Sequence, residues 1–196
     1  LSLCNKNFQK INNIDSDKAR HNLLVDVCMA AKYEGDSIKA HLEKYDALYE
    51  GSGHTTCTAL ARSFADIGDI IRGRDLYGGS KKEKQKRDEL DDKLKKIFKK
   101  IYEGLTTTKT KTLQDRYNDA TGDFFQLRED WWTANRETVW KAMTCSDDDK
   151  KLSKAQYFRA TCDINNKKGP SMTPSHCRCN DNQVPTYFDY VPQYLR

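Results

Sequence analysis

The sequence predicts a mainly α protein, a helical bundle stapled by disulfides and carrying long loops. Three observations predict it. All three tryptophans fall in one helix-like stretch between Phe124 and Cys145. A second stretch, Cys57 to Leu76, steps its apolar residues by four, three and four. Seven cysteines stand at positions 4, 28, 57, 145, 162, 177 and 179 without the spacing of a structural zinc site. Only 37% of the 196 residues are hydrophobic and 32% are charged, so the core must be economical and the surface heavily charged.

Residues 1–20 are polar and Asn-rich, with Phe8, Ile11 and Ile14 as their apolar anchors. Asp17 can cap a helix from Lys18 to about Lys32. A second helix is predicted from Asp36 to Tyr49, where Ile38, Leu42, Tyr45 and Tyr49 share a face. Gly51 and Gly53 then break the pattern, and the domain boundary is placed there, with one unit over 1–53 and another over 54–196.

Thr55 or Thr56 can cap the helix from Cys57 to Leu76, whose inner stripe is Leu60, Phe64, Ile67 and Ile71. Gly68 lies inside it at a cost of about 1 kcal/mol relative to alanine and suits close helix packing. Residues 81–100 carry ten basic side chains (Lys81, Lys82, Lys84, Lys86, Arg87, Lys93, Lys95, Lys96, Lys99 and Lys100) against five acidic ones, a surplus equal to the whole net charge of +5. Leu90, Leu94, Ile97 and Ile101 make its second half an amphipathic helix ending at Gly104. The run is either a solvated helix face or a cationic strip for a polyanion; a sulphated glycan is the favoured ligand and nucleic acid the disfavoured one.

Residues 105–112 read as an exposed loop. In the tryptophan helix, Phe125, Trp132, Val139 and Met143 are expected on the core face, with Phe124, Trp131 and Trp140 at its flanks. Arg128 and Arg136 point to the same side, so their heads should find carboxylates such as Glu129 or Glu137 or stack on the indoles. A short helix is expected from Leu152 to Cys162, then a long loop over 163–186, then an aromatic segment from Pro185 to Arg196 that docks on the core.

Disulfides in an oxidising compartment are the preferred reading of the cysteines. Cys28, Cys57, Cys145, Cys162, Cys177 and Cys179 are the candidates, and the odd count leaves Cys4 as the one without a partner. No metal site or cofactor is expected, and the tight group His176 to Cys179 is read as disulfide chemistry. No apolar run approaches the ~20 residues that cross a bilayer, and no signal peptide is visible. No nucleophile elbow, zinc-protease or phosphate-loop motif is present, so the reading is a binding protein and not an enzyme.

Several long segments together resemble one family. These are Cys57–Leu76 (CTALARSFADIGDIIRGRDL), Leu127–Arg136 (LREDWWTANR), Val139–Cys145 (VWKAMTC) and Val184–Arg196 (VPTYFDYVPQYLR). Leu3–Phe8 (LCNKNF) and Val27–Gly35 (VCMAAKYEG) fit as well. The combination resembles the Duffy-binding-like domain, alpha class, of Plasmodium falciparum erythrocyte membrane protein 1. The resemblance implies an extracellular adhesin on the infected erythrocyte and a helical fold of three subdomains, of which the third is missing here. It also implies host partners among heparan sulphate, blood-group sugars, complement receptor 1, immunoglobulin M and antibodies, with rosetting as the consequence. The Cys57 and tryptophan helices, including Leu60, Phe64, Ile67, Ile71, Phe125, Trp132, Val139 and Trp140, look like scaffold. Receptor contacts are expected in 77–122 and 146–183, where the family varies.

Overall fold

The computed structural model describes residues 19–49, 54–76, 79–106, 115–145, 152–163, 169–180 and 183–196. Helix α1 spans Ala19–Tyr49, α2 His54–Arg72, α3 Lys81–Thr106 and α4 Phe125–Met143. Two short 3-10 turns, Phe188–Tyr190 and Gln193–Leu195, follow near the C-terminus. α4 packs against α1 and α2, which also pack on each other, and α3 adds smaller contacts with α1 and α4.

Two helices were expected where α1 runs unbroken. The gap between the two expected helices holds Gly35, a residue that costs a helix about 1 kcal/mol relative to alanine. Its reason lies in packing, because a side chain there would overlap the backbone carbonyl of Met143 at the end of α4. The two helices touch backbone to backbone at that point. Gly68 plays the same part in α2, where an added Cβ would stand 2.9 Å from the Trp132 ring. Both glycines exchange helix propensity for close approach.

The core is formed by Leu23, Val27 and Ala31 of α1, Leu60, Phe64, Ile67 and Ile71 of α2, Leu94 and Phe98 of α3, and Trp132, Val139 and Trp140 of α4, all at most 1% exposed. Phe64 meets Trp132 at 5.0 Å and Trp140 edge-on at 5.2 Å between ring centroids, an arrangement that adds about 0.5–1.5 kcal/mol per pair beyond area burial. Phe125 corrects the predicted stripe. It is 50% exposed, and its neighbour Phe124 is buried instead. Phe125 has the right angle on the helix, but it stands in the first turn, past the last residue of α2, where its ring lies over Gly73. Phe124 sits just before the helix in the left-handed region (φ 55°), packs on Tyr102, and donates its N–H to Asp119 at 2.7 Å.

Two further elements differ from expectation. α2 stops at Arg72, four residues short of Leu76, and Leu76 is exposed. Residues 152–163 form a turn and extended chain rather than a helix. That chain is held by the reciprocal backbone hydrogen bonds of Cys162 and Ser171. α3 runs to Thr106, two residues into the loop expected over 105–112; residues 107–112, the proposed boundary at Gly51–Gly53 and residue Cys4 lie outside the described residues.

The disulfides are Cys57–Cys177, spanning 120 residues, and Cys162–Cys179, spanning 17. Cys28 and Cys145 carry free thiols, which corrects their listing among the bridged candidates. Cys28 is half-buried on α1 and burial pushes its thiol pKa up, while Cys145 is exposed past the end of α4.

Candidate functional site

The ten basic residues of 81–100 lie on a single helix but do not form one continuous strip. α3 opens with a reciprocal cap that sequence reading missed, although the pattern Ser80-x-x-Glu83 announces it. Glu83 accepts from the Ser80 N–H at 3.1 Å and hydroxyl at 2.9 Å, and these bonds hold the Glu83 pKa below the usual carboxylate value. The whole run is thereby helical from Lys81 onward.

Arg87 and Lys95 are engaged by carboxylates. Arg87 is paired with Asp75. Lys95 bridges Asp123 at 2.9 Å and Asp91 at 3.2 Å, and those hydrogen bonds raise its pKa. Lys81, Lys82, Lys84, Lys86, Lys96 and Lys99 are exposed, and Lys93 and Lys100 are half-buried. The exposed acids Asp88, Glu89 and Asp92 fall between the two groups. The basic surface therefore consists of two clusters about 14 residues apart, or roughly 21 Å at 1.5 Å per residue. In the second cluster Lys93, Lys96 and Lys100 follow the i, i+3, i+7 spacing of one helix face.

Arg128 and Arg136 are not available to a ligand. Arg128 is fully buried and donates to the Ile71 and Ile70 carbonyls at 2.6 and 3.0 Å and to Asp91 at 2.8 Å. It thus closes the C-terminal end of α2, whose last carbonyls have no helical partner. Burial lowers its pKa, and Asp91 opposes that shift.

Arg136 reaches a carboxylate that the sequence did not suggest. Asp189, 53 residues away, accepts two bonds from it, both at 2.8 Å, and a third from the Trp132 indole N–H at 2.9 Å. Burial would strip Arg136 of its charge, but the Asp189 bonds prevail and hold its pKa above the ordinary value. Tyr187 and Tyr190 flank its guanidinium, each 5.3 Å from ring centroid to carbon. Arg72, bonded to Asp69 at 2.9 Å, also donates to the Asp189 carbonyl. The aromatic C-terminal segment is clasped to the core by these contacts. No local pattern could have named Asp189, because the pairing is long-range.

Alongside the clasp, residues 157–161 and 185–191 enclose a groove of about 350 Å³ with Tyr157, Phe158, Tyr187 and Phe188 among its walls. Phe158 and Tyr187 are 42% and 50% exposed. Among the described residues, no three His, Cys, Asp or Glu side chains gather as metal ligands, and Cys177 and Cys179 are both spent in disulfides. No helix among the described residues is long and apolar enough to cross a membrane.

The family model of the Duffy binding domain matches residues 1–196. No curated protein matches the chain in sequence. Among solved structures, the NTS-DBL1(alpha-1) domain of the Plasmodium falciparum membrane protein 1 (PfEMP1) from the varO strain is 38% identical, with a TM-score of 0.73. The N-terminal NTS-DBL1-alpha and CIDR-gamma double domain of the same strain's PfEMP1 is 39% identical, with a TM-score of 0.75. The matches cover 98% of this chain but 39% and 25% of those chains, so this chain spans well under half of either. The ICAM-1-binding PfEMP1 IT4var13 DBLbeta domain is 34% identical, with a TM-score of 0.69, over 99% of this chain and 39% of its own. With the family model matching residues 1–196 and the fold shared with these neighbours, the chain belongs to the Duffy binding domain family.

Proposed function

We propose that the chain is a non-enzymatic, host-receptor-binding part of an adhesin displayed on the infected erythrocyte, and that it promotes cell adhesion or rosetting by gripping a sulphated glycan of the heparan sulphate type. The observation that carries this reading is the outward lysine cluster on α3. Its exposed members are Lys96 and Lys99, which stand beside the half-buried Lys93 and Lys100. Lys81, Lys82, Lys84 and Lys86 offer a second contact on the far side of the acidic belt. Flexible ammonium groups bind sulphate as point charges, so affinity should depend steeply on salt. Screening shortens the reach of such contacts from about 10 Å at 0.1 M to about 3 Å at 1 M.

The test is elution from immobilised heparin in a salt gradient. One variant replaces Lys93, Lys96, Lys99 and Lys100 with Gln, and the other does so at Lys81, Lys82, Lys84 and Lys86. Early elution of the first variant, with a smaller loss for the second, supports the reading. Equal and weak retention of all three proteins sinks it.

A second reading is supported by a different feature, the exposed aromatics beside the C-terminal clasp. Apolar surface of this kind marks protein partners, and one of the neighbours is an ICAM-1-binding domain. On this reading the chain binds a host protein receptor through that face, and its binding survives high salt.

A further inference from the structure

The groove beside the clasp has a chemistry that selects one kind of occupant. The hydroxyls of Tyr157, Thr161 and Thr186 are already committed within its own walls. The Tyr157 hydroxyl pairs with Thr186 Oγ1 at 3.2 Å, the Thr161 hydroxyl donates to the Pro185 carbonyl at 2.7 Å, and the Phe188 N–H donates to Thr186 Oγ1 at 3.1 Å. These bonds, the Cys162–Cys179 bridge next to them and the buried Asp189 make the groove preformed rather than collapsible.

What remains to meet a ligand is mainly apolar and aromatic, with the Tyr187 hydroxyl at the rim and one cation. The Arg159 guanidinium lies 5.0 Å from the centre of the Phe158 ring and makes no ion pair among the described residues. A sugar ring presents hydroxyls on every side and would find few free donors or acceptors here. An apolar side chain loses nothing on entering, and a carboxylate next to it would reach Arg159.

We propose that this groove is a docking slot for a protein partner, taking one aromatic or branched apolar side chain flanked by an acidic residue. The proposal rests on the protein-receptor reading given above. The volume of about 350 Å³ accommodates one large side chain with room for its neighbour. Rigid aromatic walls give up little entropy on binding, which is how such slots become the energetic centre of an interface.

The test titrates the isotopically labelled chain with short blocked peptides and follows its amide resonances. Acetyl-Asp-Phe-amide should shift residues 157–161 and 185–191. Acetyl-Lys-Phe-amide should bind about fivefold more weakly, the ratio for one exposed ion pair. Acetyl-Asp-Ala-amide should leave the groove unmoved. Arg159→Gln should level the two Phe peptides, and Phe158→Ala should abolish both; Phe158 stands outside the clasp, so the remaining spectrum reports an intact fold. No shift in the groove, equal binding of the two Phe peptides, or a stronger response to methyl β-galactoside overturns the proposal.

Binding of the chain to erythrocytes with and without trypsin treatment separates this failure from failure of the reading beneath it. Trypsin-sensitive binding that Phe158→Ala leaves unchanged overturns the slot alone. Trypsin-resistant binding overturns the protein-receptor reading and the slot with it.

Discussion

Replacing Asp189 with Ala tests whether the clasp holds the C-terminal segment on the bundle. Asp189 has a side chain that is 0% exposed, and it accepts from Trp132 and twice from Arg136. Its removal strands a buried guanidinium and a buried indole N–H. Breaking a buried ion pair from one side costs about 3–5 kcal/mol. At about 2–4 °C per kcal/mol for a chain of this size, the melting temperature should fall by roughly 6–20 °C. Denaturant unfolding followed by tryptophan fluorescence measures the loss, and Trp132 is itself a reporter at the site.

The informative control is the double variant Asp189→Leu with Arg136→Met, which removes both charges and keeps the volume apolar. It should be more stable than Asp189→Ala alone, because no charge is left unpaired. A loss below about 1 kcal/mol for Asp189→Ala would refute the reasoning, and so would a double variant that loses as much as the single one.

Gly68→Ala should destabilise by about 1–3 kcal/mol through overpacking against Trp132, although helix propensity alone predicts a gain of about 1 kcal/mol; the sign in a denaturant melt decides. Maleimide labelling without reductant should modify Cys145 in the native protein and Cys28 slowly or only on unfolding, while Cys57, Cys162, Cys177 and Cys179 react only after reduction. Asp119 accepts from the Thr121 N–H and hydroxyl and the Phe124 N–H, and the Thr121 bonds hold its pKa below the usual value. A depressed carboxylate contributes stability that is present above its unfolded pKa and lost as pH falls through the folded one. Stability should therefore decline below about pH 4, and Asp119→Asn should weaken the protein at neutral pH and flatten that decline; an unaltered pH profile would count against the role.

The legible parts of this fold were those written in short periods. The stripes Leu60–Phe64–Ile67–Ile71 and Leu90–Leu94–Ile97–Ile101 are visible in sequence because a helix repeats its inner face every three or four residues, and both are buried. The periodicity said nothing of where a helix end projects past its neighbour, which is why Phe125 was placed inside. Gly35 lies between the two expected helices, and what compensates it inside one continuous helix, the close approach to the Met143 carbonyl, is more than 100 residues away. The basic run was plain in composition, and the acids Asp88, Glu89 and Asp92 that divide it lie within it, but the pairing of Arg87 with Asp75 and of Lys95 with Asp123 reaches outside the run and has no local signal. The groove at Phe158 and Tyr187 was invisible, since two loops distant in sequence build it.

The Cys57–Cys177 bridge has a consequence for how the chain tolerates damage and change. A peptide bond cut at any one point between those residues leaves both pieces joined through sulfur. Everything between them hangs on a closed covalent ring whose two ends are fixed against the core. Insertions and deletions in the connecting loops alter the circumference of that ring without opening it, and a single nick opens the ring without releasing either piece. The molecule can vary its outline there and keep its frame.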